Sequence, residues 1–176
     1  MRKLFVMVTL AAMTLTASAQ WFVGGKVGLW RDYDANATNF SLMPEVGYNL
    51  SDKWAVGTVI GWDYLYKDGS KKNGFDIAPY ARYTVTKFGP VSVFLDGGFD
   101  FYTYKVKGAG ASMNAWEVGV KPGVSVALTE KLSFDTHIGF LGYRDADDVS
   151  SAKWDSNGIG FDLDGNTISF GLYYYF

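Results

Sequence analysis

Bulky apolar residues alternate with small or charged residues over long stretches of this chain. From Trp54 to Tyr66 one parity is mostly large and apolar, whereas the other includes Gly57, Gly61 and Asp63. Successive side chains of a β-strand point to opposite faces of the sheet, so a two-residue period gives each strand two different faces. The pattern therefore predicts strands with one large apolar face and one small or polar face.

The alternation recurs often enough to predict eight strands. Their predicted ranges are 21–31, 42–50, 54–66, 75–86, 91–104, 116–128, 132–143 and 167–176. Most have about nine to thirteen residues, which a tilted strand needs to cross a bilayer, whereas soluble strands have about five or six. No segment after Ala19 has the length and hydropathy of a membrane-spanning helix. The strands themselves are therefore predicted to span a membrane.

The predicted connections alternate between short turns and longer polar loops. The short ones are 51–53, 87–90 and 129–131, and the long ones are 32–39, 67–74, 105–114 and 144–166. Outer-membrane barrels show this asymmetry, with short turns in the periplasm and longer loops outside. The pattern places both chain ends in the periplasm.

A membrane-spanning sheet is expected to close, because backbone groups in hydrocarbon have no water to bond and each strand edge needs a partner. We therefore predict an all-β fold, an eight-stranded antiparallel up-and-down transmembrane β-barrel. A barrel of this size has room for side chains or one small ligand, which argues against an open aqueous pore.

The N-terminus predicts export. Met1-Arg2-Lys3, the apolar run 4–15 and Ala17-Ser18-Ala19 form the three parts of a signal peptide, with cleavage after Ala19. Residues 1–19 are thus the signal peptide and 20–176 the barrel. The chain has no cysteine, which excludes a disulfide framework and a lipidated cysteine. Its acidic balance argues against a nucleic-acid partner.

Each face of the predicted strands is expected to carry its own functional group of residues, an aromatic group outside and a polar group inside. Aromatic residues near the strand ends are expected to form interfacial girdles: Trp21, Trp54, Tyr64, Tyr66, Tyr83, Trp116 and Tyr174. Polar residues of the other parity are expected to form a network in the lumen: Lys26, Glu45, Asp63, Asp76, Arg82, Asp96, Asp100, Glu117, Lys121, Asp135 and His137. Charges in a narrow lumen are expected to be paired, since isolated burial is costly.

Two segments resemble a known family. The segment 43–57, MPEVGYNLSDKWAVG, resembles a hairpin of a style common in barrels from the Bacteroidetes, and the chain ends on 170–176, FGLYYYF. With the rest of the mature chain, they resemble the outer-membrane protein β-barrel domain family, which includes small barrels similar to the OmpA membrane domain and the opacity proteins. The resemblance implies insertion by the barrel-assembly machinery. It identifies Phe170, Leu172, Tyr174 and Phe176 as the assembly signal.

The resemblance also implies residence in the outer membrane, where the partners are lipid and lipopolysaccharide. We expect a monomer without a cofactor. Members of the family differ in role, so the sequence favours a non-enzymatic barrel with a side-chain-plugged lumen, serving envelope integrity or surface interaction through its loops. His137 is the only histidine, and beside Ser133 and Asp135 it fits such a plug better than a catalytic site.

Two alternatives stay open at this stage. An outer-leaflet lipid A modifying enzyme would have to use His137. A secreted lipocalin-like barrel would turn the apolar parity inward, but the other face is poor in lysine, unlike a soluble surface. The membrane interpretation requires Ile60, Val93, Val120 and Phe134 to point away from the barrel axis.

The predicted last loop is acidic. Its aspartates are Asp145, Asp147, Asp148, Asp155, Asp162 and Asp164. Their spacing misses the pattern of a calcium-binding loop and lacks the closing glutamate, so we predict a solvated loop and no metal site.

Overall fold

The computed structural model describes residues 21–34, 36–67, 69–106, 112–147, 157–163 and 168–176. The predicted signal peptide, 1–19, lies outside these residues. The strands are β1 (Trp21–Asp32), β2 (Ala37–Asn49), β3 (Trp54–Lys67), β4 (Ser70–Phe88), β5 (Val91–Val106), β6 (Met113–Ala127), β7 (Leu132–His137), β8 (Phe140–Ala146), β9 (Gly158–Asp162) and β10 (Ser169–Tyr175). In this part of the chain no helix is long and apolar enough to cross a membrane.

Antiparallel ladders join the strands into a closed ring. Each strand from β1 to β6 pairs with the next, β6 pairs with both β7 and β8, β10 pairs with β7 and β1, and β9 pairs with β8. Strands β7 and β8 together form the seventh wall strand, and β9 and β10 form the eighth. The predicted eight-stranded antiparallel barrel is confirmed.

The large apolar face points away from the barrel axis. Ile60 and Phe134 are exposed, and the half-buried Val93 and Val120 share their outward parity. The carboxylates of the other parity are buried, with Asp135 fully inside. The orientation that the membrane interpretation requires is therefore confirmed, and the inward orientation of a lipocalin-like barrel is not observed.

Short turns join the strands at the end of the barrel that also holds Trp21 and Phe176, here called the turn end. Two of these turns close in the same way. The amides of Leu50 and Ser51 donate to the carbonyl of Trp54, at 2.8 and 3.0 Å, and those of Leu128 and Thr129 donate to the carbonyl of Leu132, at 2.8 and 3.1 Å. The short connections agree with the prediction.

The longer connections at the opposite end, the loop end, are shorter than predicted. Strands β2, β4 and β6 begin several residues earlier, and polar pairs such as Arg31 with Thr38 extend the ladders. The prediction of these loop boundaries was wrong because it followed the apolar alternation. Backbone pairing continues where the alternation ends, since a ladder needs only amides and carbonyls.

The predicted strand 132–143 is interrupted at Ile138 and Gly139. Gly139 has φ of 77°, a conformation that favours glycine. Gly123 pairs with His137, but Val120 pairs with Leu141, so one extra residue lies between the two ladders. The parity of the outward-facing Phe134 predicts Phe140 on the outer face, but this bulge reverses the parity and Phe140 lies inside.

The predicted last loop, 144–166, contains part of the barrel wall. Strand β8 runs to Ala146, and β9 pairs with it from Arg144 opposite Gly158 to Phe140 opposite Asp162. Of the six loop aspartates, Asp145, Asp147 and Asp162 are described, and Asp148, Asp155 and Asp164 lie outside the described residues. The assignment of this whole segment to a loop was wrong.

Small residues make room for large rings inside the barrel, and this packing is testable at Gly47. The buried ring of Phe22 lies against Gly47, and a Cβ there would overlap it, whereas a Cβ at the outward-facing Gly97 meets open space. Overpacking typically costs about 1–3 kcal/mol. We expect Gly47→Ala to lower the free energy of unfolding in urea by that amount and Gly97→Ala to leave it unchanged. Equal stability of the two variants would contradict this packing.

Candidate functional site: the barrel interior

A buried cluster of charged and aromatic residues lies across the interior toward the turn end. Arg82 donates to both carboxylate oxygens of Asp96, each at 2.8 Å, and to Asp135 at 2.6 Å. The guanidinium carbon lies 3.7 Å from the ring centroid of Phe94. With His137, these four residues are called the floor cluster. Its ion pairs are bidentate or short, the geometry of strong charge-assisted hydrogen bonds.

His137 belongs to this cluster through Asp96. Its Nε2 lies 2.8 Å from the carboxylate of Asp96, and its ring meets Phe94 edge-on at 5.3 Å. The hydroxyl of Ser133 donates to Asp135 at 3.0 Å rather than to His137. A serine nucleophile needs a hydrogen bond to its base, so this arrangement of Ser133 and His137 is not that of a serine hydrolase.

Glu45 is held by two tyrosines. The hydroxyl of Tyr80 donates to one carboxylate oxygen, and that of Tyr173 donates to the other at 2.8 Å. The ring of Phe22 packs edge-on against Tyr173 with centroids 6.2 Å apart. Sequence reasoning placed Glu45 in the lumen but not its tyrosine partners, although both stand on the polar parity.

A second ion-pair group, the upper cluster, lies toward the loop end. Glu117 contacts Lys121 at 2.5 Å and Arg144 at 3.0 Å, and Arg144 also reaches Asp162 at 3.7 Å. The guanidinium of Arg144 lies 4.1 Å from the ring centroid of Phe140. Sequence reasoning missed Arg144 and Asp162, because both fell in the predicted loop. The inward turn of the chain at Gly139 brings them into the barrel.

Tyrosines fill the interior near the loop end. The hydroxyl of Tyr102 donates to Asp63 at 3.0 Å, and the rings of Tyr102 and Tyr104 stack 5.2 Å apart. The ammonium of Lys72 lies 4.8 Å from the centroid of Tyr104. Both tyrosines pack with the small buried residue Ala115. Asp63 therefore belongs to a mainly aromatic cluster and is not part of the floor cluster or the upper cluster.

The remaining residues of the predicted lumen network also lie on the inner side. Lys26 donates to the hydroxyl of Ser169 at 2.9 Å. Asp76 and Asp100 are buried on neighbouring strands. Among the described residues, no group of three or more histidine, cysteine or acidic side chains has an arrangement that could hold a metal ion.

The described part of the barrel encloses an outer and an inner cavity. The outer cavity, of about 680 Å³, is lined by the upper cluster, Lys26, Glu45, Asp76 and Asp100. The inner cavity, of about 290 Å³, opens at the turn end. Asp96 and His137 of the floor cluster face the outer cavity, whereas Arg82 and Phe94 face the inner one. The floor cluster therefore stands between the two cavities.

The residues predicted to form the girdles lie on the outer face, and several form ring pairs. Trp54 contacts Tyr83 with centroids 4.9 Å apart, and Trp116 contacts Tyr143 at 5.2 Å. Trp21 and Tyr174 are exposed, and Tyr64 and Tyr66 are half-buried with outward parity. Phe170, Leu172 and Phe176 of the predicted assembly signal are exposed too. The depth of the aromatics in a bilayer and recognition of the signal stay predictions.

Comparison with known proteins concerns both structure and sequence. An in-vitro folded outer membrane protein OmpT from Vibrio cholerae, in its trimer form, shares 15% sequence identity with this chain at a TM-score of 0.42. The match covers 91% of this chain and 52% of that one, so the chain spans about half the length of that protein. No curated protein matches the sequence significantly.

The sequence also matches a family model. The model of the outer membrane protein beta-barrel domain matches residues 3–176. The match covers every strand of the barrel described above. The chain therefore belongs to the outer membrane protein β-barrel domain family.

Proposed function

We propose that this chain is a non-enzymatic integral barrel whose lumen is plugged by side chains and which supports the integrity of the outer membrane. Membership of the family points to that membrane. The observation that carries the plug is the floor cluster, in which Arg82 joins strands β4, β5 and β7 through Asp96 and Asp135. The loops at the other end are then free to contact molecules at the cell surface.

The energetics of the floor cluster support a permanent plug. Arg82, Asp96 and Asp135 are all buried, and the face of Arg82 lies on Phe94. Removing one partner of a buried ion pair costs about 3–5 kcal/mol, because the other charge stays without compensation. Opening this layer for ion flow would require breaking several such contacts together.

The outer face supports residence in lipid. Valine, leucine, isoleucine and phenylalanine side chains are exposed around the barrel, among them Val56, Ile77, Val118 and Leu172. A contiguous apolar surface of this extent on a monomer indicates contact with another apolar phase. We propose membrane lipid and lipopolysaccharide as that phase, and the barrel-assembly machinery as the partner during insertion.

The plug predicts that the native barrel conducts no steady ion current in planar bilayers. Arg82→Ala combined with Asp135→Ala removes both a cation and an anion from the floor cluster, so we expect a measurable conductance. The paired variant Glu117→Ala with Arg144→Ala alters the upper cluster and should leave the barrel closed. Different migration of boiled and unboiled samples on SDS gels checks that each variant is folded. A steady current through the native protein would refute the plug.

The floor cluster also predicts that replacing Arg82 with methionine lowers the stability of the barrel more than replacing Lys121 does. Arg82→Met leaves Asp96 and Asp135 buried without their cation, and we expect a loss of about 3–5 kcal/mol in the free energy of unfolding. Lys121→Met removes a side chain that is 39% exposed, and the buried Glu117 keeps its second partner, Arg144, so we expect a loss of only about 0–1 kcal/mol. Urea unfolding in detergent micelles measures both values. Similar losses of unfolding free energy in the two variants would show that the floor cluster contributes no more to stability than the exposed lysine does.

A non-enzymatic role predicts that lipid A is the same with or without the protein's only histidine. We expect mass spectra of lipid A from cells that express the native protein and His137→Ala to be identical. Cells that lack the protein give the reference spectrum. A lipid A species that depends on His137 would replace the proposed role with an enzymatic one.

A further inference from the structure

The ladder between β3 and β4 continues beyond the apolar part of the wall toward the loop end. Trp62 faces Phe75, and these two exposed rings are the uppermost apolar pair on the outer face of the two strands. Above them Tyr64 faces Asn73, and Tyr66 faces Lys71. Strand pairing therefore carries a polar outer surface for two further outward-facing positions.

Two lysines lie on this polar extension and face outward. Lys71 has the outward parity of Phe75, and Lys105 faces Asn73, which lies two residues from Lys71. Diagonal neighbours of this kind are about 7–8 Å apart, within reach of long side chains. Both lysines are exposed, and among the described residues neither has an ion-pair partner. The basic patch is defined by five outward-facing residues: Tyr64, Tyr66, Lys71, Asn73 and Lys105.

The wall behind the basic patch is held in place from the inside. The ammonium of Lys72, the neighbour of Lys71, lies 5.3 Å from the ring centroid of Tyr102 and 4.8 Å from that of Tyr104. The hydroxyl of Tyr102 also donates to Asp63 at 3.0 Å. These contacts fix the parity of β4, so Lys71 points outward before any ligand arrives. Preorganisation of this kind lowers the cost of binding.

The height of the basic patch places it among lipid head groups. An outward step of two residues rises about 5 Å along the barrel axis, for a rise of about 3.4 Å per residue in a strand tilted by about 40°. Lys105 and Asn73 lie one step above Phe75, and Lys71 lies two steps above it. The head-group region adds roughly 5–8 Å on each side of the hydrocarbon core. Aromatic rings such as Trp62 suit the edge of that core, so the lysines are level with lipid phosphates.

The charge of the outer face differs around the barrel at this level. On another side of the barrel, Asp145 faces the outward Trp116, and the exposed Asp147 accepts a hydrogen bond from the amide of Asn114 at 2.8 Å. Carboxylates on that side repel an anionic head group, whereas the two lysines attract one. An anionic lipid is therefore favoured at the wall formed by β4 and β5.

We propose that the basic patch is a docking site for lipid A, the phosphorylated glycolipid of the outer leaflet, an inference that rests on the proposed residence in the outer membrane. A phosphate lies between the ammonium groups of Lys71 and Lys105, which supply charge-assisted hydrogen bonds. The side-chain amide of Asn73 supplies a further donor. The acyl chains lie on Trp62, Phe75 and the apolar wall below them.

Native mass spectrometry tests the head-group preference. The native barrel in dodecylmaltoside micelles is titrated with bisphosphorylated lipid A, its dephosphorylated form and phosphatidylglycerol, with EDTA present so that no divalent cation bridges lipid and carboxylate. A phosphomonoester carries more negative charge than a phosphodiester, so two lysines favour lipid A. We expect lipid A to bind about tenfold more tightly than its dephosphorylated form. Equally tight binding of either other lipid overturns the proposal.

Paired lysine variants locate the phosphate. Lys71→Gln with Lys105→Gln is expected to weaken lipid A binding about tenfold, to the level of the dephosphorylated lipid. Lys53→Gln with Lys87→Gln makes the same charge change on exposed lysines at the turn end and should leave the affinity unchanged. Different migration of boiled and unboiled samples on SDS gels checks the folding of each variant. Equal affinity of the two double variants for lipid A would place the phosphate elsewhere and reject the site.

The same spectra test a second copy of the chain as the occupant. In that case, Asp145 and Asp147 of one barrel would pair with Lys71 and Lys105 of another. Two-chain complexes that form without lipid A and disappear in the Lys71 and Lys105 double variant would assign the patch to self-association and overturn lipid A docking. We expect single chains with bound lipid. Conductance and gel migration of the native barrel are measured without lipid A, so a failed docking test leaves the proposed function to its own tests.

Discussion

The need to pair every backbone amide and carbonyl governs this structure. In hydrocarbon there is no water to satisfy an unpaired strand edge, so the sheet has to close on itself. Closure creates an inside and an outside, and the two-residue period of the strands assigns each side chain to one of them. The exposed apolar face, the buried carboxylates and the alternation seen from Trp54 to Tyr66 are three consequences of this one constraint.

The narrow interior then sets how polar residues are used. Eight strands leave so little room that large side chains lie against glycine, as Phe22 does on Gly47 and Phe94 on Gly123. Buried charges are held in place by hydrogen bonds from several strands, because an isolated charge there would be costly. Arg82 connects three strands in this way. The same contacts fasten the wall strands to one another.

Much of the fold follows from the sequence alone, because the alternation reports directly on backbone geometry. The number of strands, the direction of each face and the short turns could be predicted. The partners of the charges could not: Arg82 pairs with Asp96 directly across the ladder but also with Asp135, far along the chain. That contact depends on how the strands are staggered around the ring, which no local pattern encodes. The loop boundaries failed for a related reason, since polar residues such as Thr38 pair as well as apolar ones.

The bulge at Gly139 accounts for most of the differences between the predicted and the observed strands after His137. On either side of the bulge at Gly139, His137 of β7 pairs with Ser169 of β10 and Phe140 of β8 pairs with Asp162 of β9. Among the described residues, β9 pairs with β8 alone, whereas β10 pairs with both β7 and β1. The same bulge turns Phe140 and Arg144 inward, where Arg144 neutralises Glu117 and packs on Phe140. A single glycine conformation at position 139 thus links the upper cluster to the outer cavity, because Gly139, Phe140 and Arg144 all line that cavity.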